Sequence, residues 1–231
     1  MKSVATLEEI YPAFGVRVTC GPVVLRPLRE ADVPAIAELV GGGIHSDEER
    51  PFLVPWNLGD YDPIDTLRFY YQTWASFTPE RWTIMLAVER DGVVVGVQDV
   101  MATDFPLTRS ASSGSWLGLP HQGRGTGTLM RQAMLAFAFD GLGAVEMRSG
   151  AWVDNLRSRR VSEKCGYRPD GTELRPRERG AVVELRLRVT PDTFVRPPYP
   201  VAITGADALR RALGVAEDRP RGPAGQGRGL A

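Results

Sequence analysis

The segment "LPHQGRGTGTLMRQAM" at residues 119–134 constrains this chain more than any other. Gly123, Gly125 and Gly127 alternate with Arg124 and Thr126, and a helix-forming run follows at once. Glycine costs backbone entropy and stabilises neither helix nor strand. Three of them at a helix entrance therefore point to a group that must approach the main chain closely. A helix N-terminus leaves four N–H groups unpaired and carries roughly half a positive charge. A glycine-rich entrance lets successive N–H groups turn inward as an anion nest. We therefore expect a phosphate or pyrophosphate on residues 122–127. A single glycine would instead read as a turn that tightens strand–helix packing.

Two common nucleotide sites do not fit. The P-loop needs a Lys-Ser/Thr pair after its last glycine, but Thr128 follows Gly127 directly and no lysine is near. The dinucleotide fingerprint fits at Gly123 and Gly125, but its third glycine position is Thr128. It also expects an acidic residue at a strand end about twenty residues on, whereas Glu146 lies within "AVEMR". A dinucleotide oxidoreductase is therefore a rival that NAD(P)H binding would reveal.

The rest of the composition narrows the class. The 28 basic residues balance 28 acidic ones over 231 residues, so nothing suggests a nucleic-acid groove or a membrane-surface patch. Lysine occurs only at Lys2 and Lys164, and the wealth of Ala, Gly and Arg reads as GC-rich coding. Cys20 and Cys165 make no disulfide framework, which fits a reducing cytoplasm. "MKSVATLEEIYPAF" lacks the apolar core of a signal peptide. No apolar run approaches the roughly eighteen residues of a membrane span. The length suits one sizeable α/β domain.

The order of elements is partly legible. "VRVTCGPVVLRPLR" predicts a strand or hairpin about Gly21-Pro22, and "EADVPAIAELV" a helix ended by "GGG". Residues 41–60 form a long loop with an apolar centre, of a kind that is often functional. "DPIDTLRFYYQTWASF" predicts a second helix with Pro63 in its first turn. "RWTIMLAVERDGVVVGVQDVMATDF" predicts a hairpin on Asp91-Gly92. "SGSWLGL" predicts one more strand. A helix over about 125–140 should bury Leu129, Ala133 and Phe137. "AVEMRSGAWV" predicts a strand, "NLRSRRVSEKCG" a helix closed by Gly166, and the run to Val189 two closing antiparallel strands. We place the main domain at residues 1–198, a short extension with one strand and one small helix at 199–216, and a disordered Pro/Gly-rich tail at 217–231.

Gln122-Gly123-Arg124-Gly125-Thr126-Gly127 resembles the Q/R-x-x-G-x-G/A signature of the GNAT superfamily of acyl-CoA-dependent N-acyltransferases. "NLRSRRVSEKCGY" resembles the N-x-x-S…K-x-G-F/Y helix of its RimJ/RimL-type branch, and the order of elements agrees over about residues 15–190. "VPW", "DFPLTR" and "SGSWLGL" add a closer resemblance to a mycobacterial GNAT succinyltransferase and its relatives. The resemblance implies an α/β (α+β) fold: one mixed, strongly bent central sheet with helices on both faces. It also implies transfer of an acetyl or succinyl group from acetyl-CoA or succinyl-CoA to a primary amine by direct attack. The acceptor would be an amine-bearing small molecule or a protein N-terminus. Monomer and homo-oligomer both stay open.

The resemblance also assigns roles. The N–H groups of residues 122–127 would hold the CoA pyrophosphate. Trp116, Leu117, Gly118 and Leu119 would splay from the neighbouring strand and pair with the pantetheine amides, one N–H polarising the thioester carbonyl. Asn155 would bond the pantetheine, or simply cap its helix. Ser158 would protonate the departing thiolate, or merely face solvent. Many relatives carry a glutamate that takes the amine proton where this chain has Ser112, so Asp104 and Glu184 stand as substitute bases. The missing glutamate also keeps a non-catalytic acyl-CoA sensor in play. Gln98 or Arg109 would meet a succinyl carboxylate, and Trp56 would wall the acceptor site or join the core. His45 and His121 lack a third ligand, so no metal is expected. His121 reads as a loop-rim residue, and Cys165 as a packed thiol.

Overall fold

A computed structural model describes residues 4–46, 51–52, 61–177 and 180–215. Its ten strands are β1 (Arg17–Cys20), β2 (Val23–Pro27), β3 (Arg81–Arg90), β4 (Val93–Thr103), β5 (Ser110–Ser112), β6 (Ser115–Leu117), β7 (Glu146–Trp152), β8 (Arg168–Arg177), β9 (Gly180–Val189) and β10 (Val201–Thr204). They form one sheet in the order β10-β1-β2-β3-β4-β5-β7-β9-β8, with β6 paired to β4 beside β5. β5 runs parallel to β7, and every other described pair is antiparallel. Asp91 and Gly92 both have positive φ, at 52° and 81°, which is the backbone a two-residue β3–β4 turn requires.

The helices are α1 (Leu7–Ile10), α2 (Val33–Gly41), α3 (Pro63–Ala75), α4 (Phe105–Thr108), α5 (Thr126–Ala136), α6 (Leu156–Lys164) and α7 (Ala206–Ala212). They cover both faces of the sheet. On one face α2 and α3 bury Leu28, Ile36, Tyr70, Met85 and Val97 together. On the other, α5 lies over β1, β2 and β4 in the main core. This is the bent mixed sheet with helices on both faces that the GNAT resemblance implies. No helix among the described residues is long and apolar enough to cross a membrane.

Three features go beyond the sequence reading. α5 is buried on nearly all sides, from Leu129 through Phe139, instead of along one stripe. It ends in a π-turn over Phe137–Gly141, where the Leu142 N–H reaches back to the Phe137 carbonyl. The predicted strand "SGSWLGL" is shortened to β6, and Ser113–Gly114 separate it from β5, a short strand that the sequence reading did not include. The C-terminal extension joins the main body, since β10 pairs with β1 from Arg17↔Thr204 to Cys20↔Val201, while Leu209 and Leu213 are fully buried. The 217–231 tail lies outside the described residues.

Gly166 closes α6 and shows how tightly this region is set. Its φ is +92°, and a Cβ there would stand 1.9 Å from the Thr193 carbonyl oxygen. Backbone must move to accommodate any side chain. We expect Gly166→Ala to cost at least about 3 kcal/mol, lowering the Tm by about 6–12 °C for a chain of this size. Thermal unfolding followed by circular dichroism checks this.

Candidate functional site

The break at Ser113–Gly114 opens the sheet. β5 pairs with β7 from Ser110↔Glu146 to Ser112↔Arg148, and the Ser113 N–H donates to the Arg148 carbonyl at 3.1 Å. Beyond that point β6 pairs only with β4, so the strands part. The Gly114 carbonyl accepts from the Asp99 N–H at 2.9 Å, and the Gly118 N–H donates to the Val95 carbonyl at 3.0 Å. By the alternation of an antiparallel ladder, Ser115 and Leu117 turn their backbone groups away from β4, into the gap. The Leu119 N–H is held by the Gly43 carbonyl at 3.0 Å. The cleft-facing N–H groups of this strand are thus those of Ser115 and Leu117, and not those of Gly118 and Leu119.

A cleft of about 1320 Å³ runs from this gap to the glycine loop. Gly123 and Gly125 line it at φ +72° and +78°, and a Cβ on either would meet nothing within 4 Å. No protein atom crowds these glycines. They set the turn and leave the cleft side of the backbone bare. Gly127 has negative φ and packs near Val161 and Leu117. α5 starts directly after Gly125 with no side-chain cap, so its first N–H groups are left for another acceptor. The Arg90 Nη1 holds the loop from behind, donating to the Arg124 carbonyl at 3.1 Å and to Thr126 Oγ1 at 2.6 Å. Neither Arg124 nor Thr126 lines the cleft.

Gln122 acts as a bracket. Its Nε2 donates to the carbonyls of Ile44 and Leu117, both at 2.8 Å, and its Oε1 accepts from Arg157 Nη1 at 3.1 Å. One amide thus joins the end of β6, the loop after α2 and helix α6. Arg157, Arg160 and Lys164, spaced three and four apart, turn one face of α6 to the cleft. The sequence reading passed over this cationic row, although its spacing was visible.

Asn155 caps α6: its Oδ1 accepts from the Ser158 N–H at 3.0 Å, and its Nδ2 donates to the Pro51 carbonyl at 3.3 Å. The Trp152 indole N–H likewise donates to the Phe52 carbonyl at 3.0 Å. The long loop therefore passes over the cleft at residues 51–52, with Ser158 in the wall below. Trp56 lies outside the described residues. Trp116, Leu117 and Leu119 also line the cleft.

Three expected site residues are elsewhere. Gln98 is fully buried on β4, where its Nε2 donates to the carbonyls of Gly114 at 2.7 Å and Asp99 at 3.0 Å. It braces the strand break and does not line the cleft. Arg109 sits past α4 in a left-handed turn at φ 51°, with its guanidinium over the Phe105 ring, outside the cleft. Asp104 is exposed before α4, with its N–H on the Glu80 carbonyl. Glu184 does line the cleft, paired with Arg175 at 3.1 Å.

The acid that the sequence reading missed is Asp99. It lies opposite Gly114, lines the cleft and accepts the Gly114 N–H. A Cβ on Gly114 would come within 2.9 Å of its carboxylate, so the glycine makes this approach possible. Burial pushes the Asp99 carboxyl up to about 6, outweighing the Gly114 N–H and the charge of Arg131, which favour the anion. Nothing in "VQDVM" signals this, because the environment comes from a strand fifteen residues away.

An acetyltransferase (GNAT) domain family model matches residues 23–168, more than half of the chain. Among solved structures, RimJ of Mycobacterium smegmatis in complex with CoA-disulfide is 23% identical, with 86% of this chain and 92% of that chain covered at a TM-score of 0.65. RimL, a ribosomal L7/L12 alpha-N-protein acetyltransferase in complex with coenzyme A, is 17% identical, covering 75% and 96% at 0.64. A spermidine N-acetyltransferase from Vibrio cholerae in complex with CoA and spermine is 17% identical, covering 74% and 97% at 0.58. At these identities the likeness is one of fold.

The raised Asp99 pKa carries a stability consequence. Between about pH 4 and 6 the native state binds a proton that the unfolded chain has lost, so stability falls as pH rises through that window. Asp99→Asn keeps an acceptor for Gly114 and removes the buried charge. We expect the variant to be more stable than the parent by about 1–3 kcal/mol at pH 7.5 and equal to it near pH 4. Urea unfolding at both pH values tests this.

Proposed function

The chain belongs to the GNAT acetyltransferase family, and on that footing we propose that it moves an acyl group from a CoA thioester to a primary amine by direct attack. The observation that carries this reading is the continuity of the cleft. A bare anion-binding loop, an open strand edge and a poised carboxylate lie along one groove. The N–H groups at the start of α5 and the cations of α6 suit a pyrophosphate and its neighbouring phosphate. The backbone groups of Ser115 and the N–H of Leu117 suit the pantetheine amides and the thioester carbonyl, while the Leu117 carbonyl is held by Gln122.

The amine nitrogen forms a bond to the thioester carbon, the carbon–sulfur bond breaks, and CoA leaves as a thiolate. Asp99 takes the proton that the amine sheds. Ser158 donates a hydrogen bond to the departing sulfur, and the thiolate takes its proton from solvent; it needs little help because a thiol of this kind has a pKa of about 8.5. A carboxylate near pKa 6 also sets the acceptor class. Taking a proton from an α-ammonium, with a pKa of about 8, is uphill by about 3 kcal/mol, whereas a lysine ammonium costs about 6 kcal/mol. The site therefore favours a protein N-terminus or another amine of low pKa. The donor is acetyl-CoA or succinyl-CoA. The spermidine enzyme among the structural neighbours keeps a small polyamine acceptor as the second test substrate.

Gly125→Asp puts a carboxylate where the pyrophosphate would sit and endangers two or three charge-assisted hydrogen bonds, each worth about 1.5–3 kcal/mol. Calorimetry should show CoA affinity reduced at least a hundredfold in a folded protein. Near-normal binding would remove the loop from the donor site. Asp99→Asn should bind CoA normally yet release thiol about 10²–10⁴-fold more slowly. An unchanged rate would mean that another group takes the proton, and the absence of turnover with any amine would leave a sensor.

A further inference from the structure

Arg131 lies on α5 and is only 4% exposed, yet it forms part of the cleft wall. Its Nη2 donates to Ser115 Oγ at 2.9 Å. Its Nε and Nη1 are buried with no hydrogen-bond partner, and it makes no ion pair among the described residues. A guanidinium does not give up its proton in a protein, so this is a buried positive charge with donors unused. Such a group is costly unless an anion meets it. Asp99 feels its charge without pairing with it.

The location narrows what that anion is. The phosphates have their own end of the cleft, at Gly123, Gly125 and the α6 cations. Arg131 is one side chain away from Ser115, whose backbone faces the gap where the thioester carbonyl would be held. An acetyl group brings no anion to this guanidinium, whereas an acyl chain that ends in a carboxylate would bring one to the buried donors of Arg131. The surroundings are also polar: the buried Tyr167 hydroxyl interacts with Ser113 and with Arg131, whose guanidinium lies 5.9 Å from the centre of the Tyr167 ring.

We propose that Arg131 is a specificity-determining residue that receives the terminal carboxylate of a dicarboxylic acyl-CoA, with succinyl-CoA as the class member that tests it. This rests on the acyl-CoA reading above, and it moves the carboxylate receptor from Gln98 and Arg109 to α5. It requires no change in the transfer chemistry, because the tail carboxylate takes no part in bond making.

The test is calorimetry with CoA, acetyl-CoA, butyryl-CoA and succinyl-CoA on the full chain. Butyryl-CoA matches succinyl-CoA in chain length and lacks the charge. We expect succinyl-CoA to bind at least tenfold more tightly than both acetyl-CoA and butyryl-CoA. Arg131→Met should erase that preference and leave acetyl-CoA within about threefold of the parent. Equal affinity for succinyl-CoA and butyryl-CoA in the parent overturns the proposal whether or not the variant folds, as does a preference that survives in a folded Arg131→Met protein. No binding of CoA itself would overturn the acyl-CoA reading as well.

Discussion

The Asp99–Gly114 contact governs the centre of this molecule. A continuous strand from Ser110 to Leu117 would pair with β7 along its whole length and close the sheet. Instead the Asp99 carboxylate takes the Gly114 N–H, and Gln98 donates to the Gly114 carbonyl. Both bonds come from β4, and both draw the chain towards it just where it would otherwise follow β7. The strand leaves one partner for the other and exposes a backbone edge across the gap from the part of β7 beyond Arg148. The same contact perturbs the acid, since a carboxylate close enough to catch a strand N–H is shielded from water by that strand. Fold and proton affinity are therefore set together at Asp99.

Charge in the cleft is arranged by position, not by excess. The chain is formally neutral, yet its cations lie along α6 and at Arg131, while Glu184 answers Arg175 and Asp170 answers Arg148 at the opposite end. Arginine suits this role, because it keeps its charge when buried and offers several donors at once. A paired arginine holds the wall together. An arginine with unused donors has a different meaning, and only burial separates the two.

The parts of this architecture that were legible in the sequence are those that local chemistry dictates. Asp91-Gly92 announced its turn because few residue pairs tolerate two positive φ values in succession. The glycine loop was readable because glycines directly before a helix have few other uses. Asn155 revealed a helix start. The misplaced residues were all long-range matters. Gln98 looked like a pocket residue because an amide among valines stands out, but the Gly114 carbonyl that it holds lies sixteen residues on. Arg109 and Asp104 flank a helix of one turn, and only the sheet register shows that it faces away. Asp99 and Arg131 drew no notice, since a lone acid in a strand and a lone arginine in a helix are ordinary until burial is known. The long loop around Trp56 and the 217–231 tail lie outside the described residues.

The pairing of β1 with β10 has a consequence for how the protein comes into being. Residues 17–20 emerge early in synthesis, and their partners at 201–204 emerge some 180 residues later. Until then β1 presents an unpaired edge, and the core beside α5 lacks Leu209 and Leu213. Contacts between such distant parts of a chain form late and slow the search for the native state. The ligand cleft, by contrast, draws almost entirely on residues between 44 and 187. A nascent chain can thus assemble its groove before its sheet is closed, and the final strand acts as a latch on a machine already built. An open edge that waits so long is also the place where two unfinished chains would pair with each other.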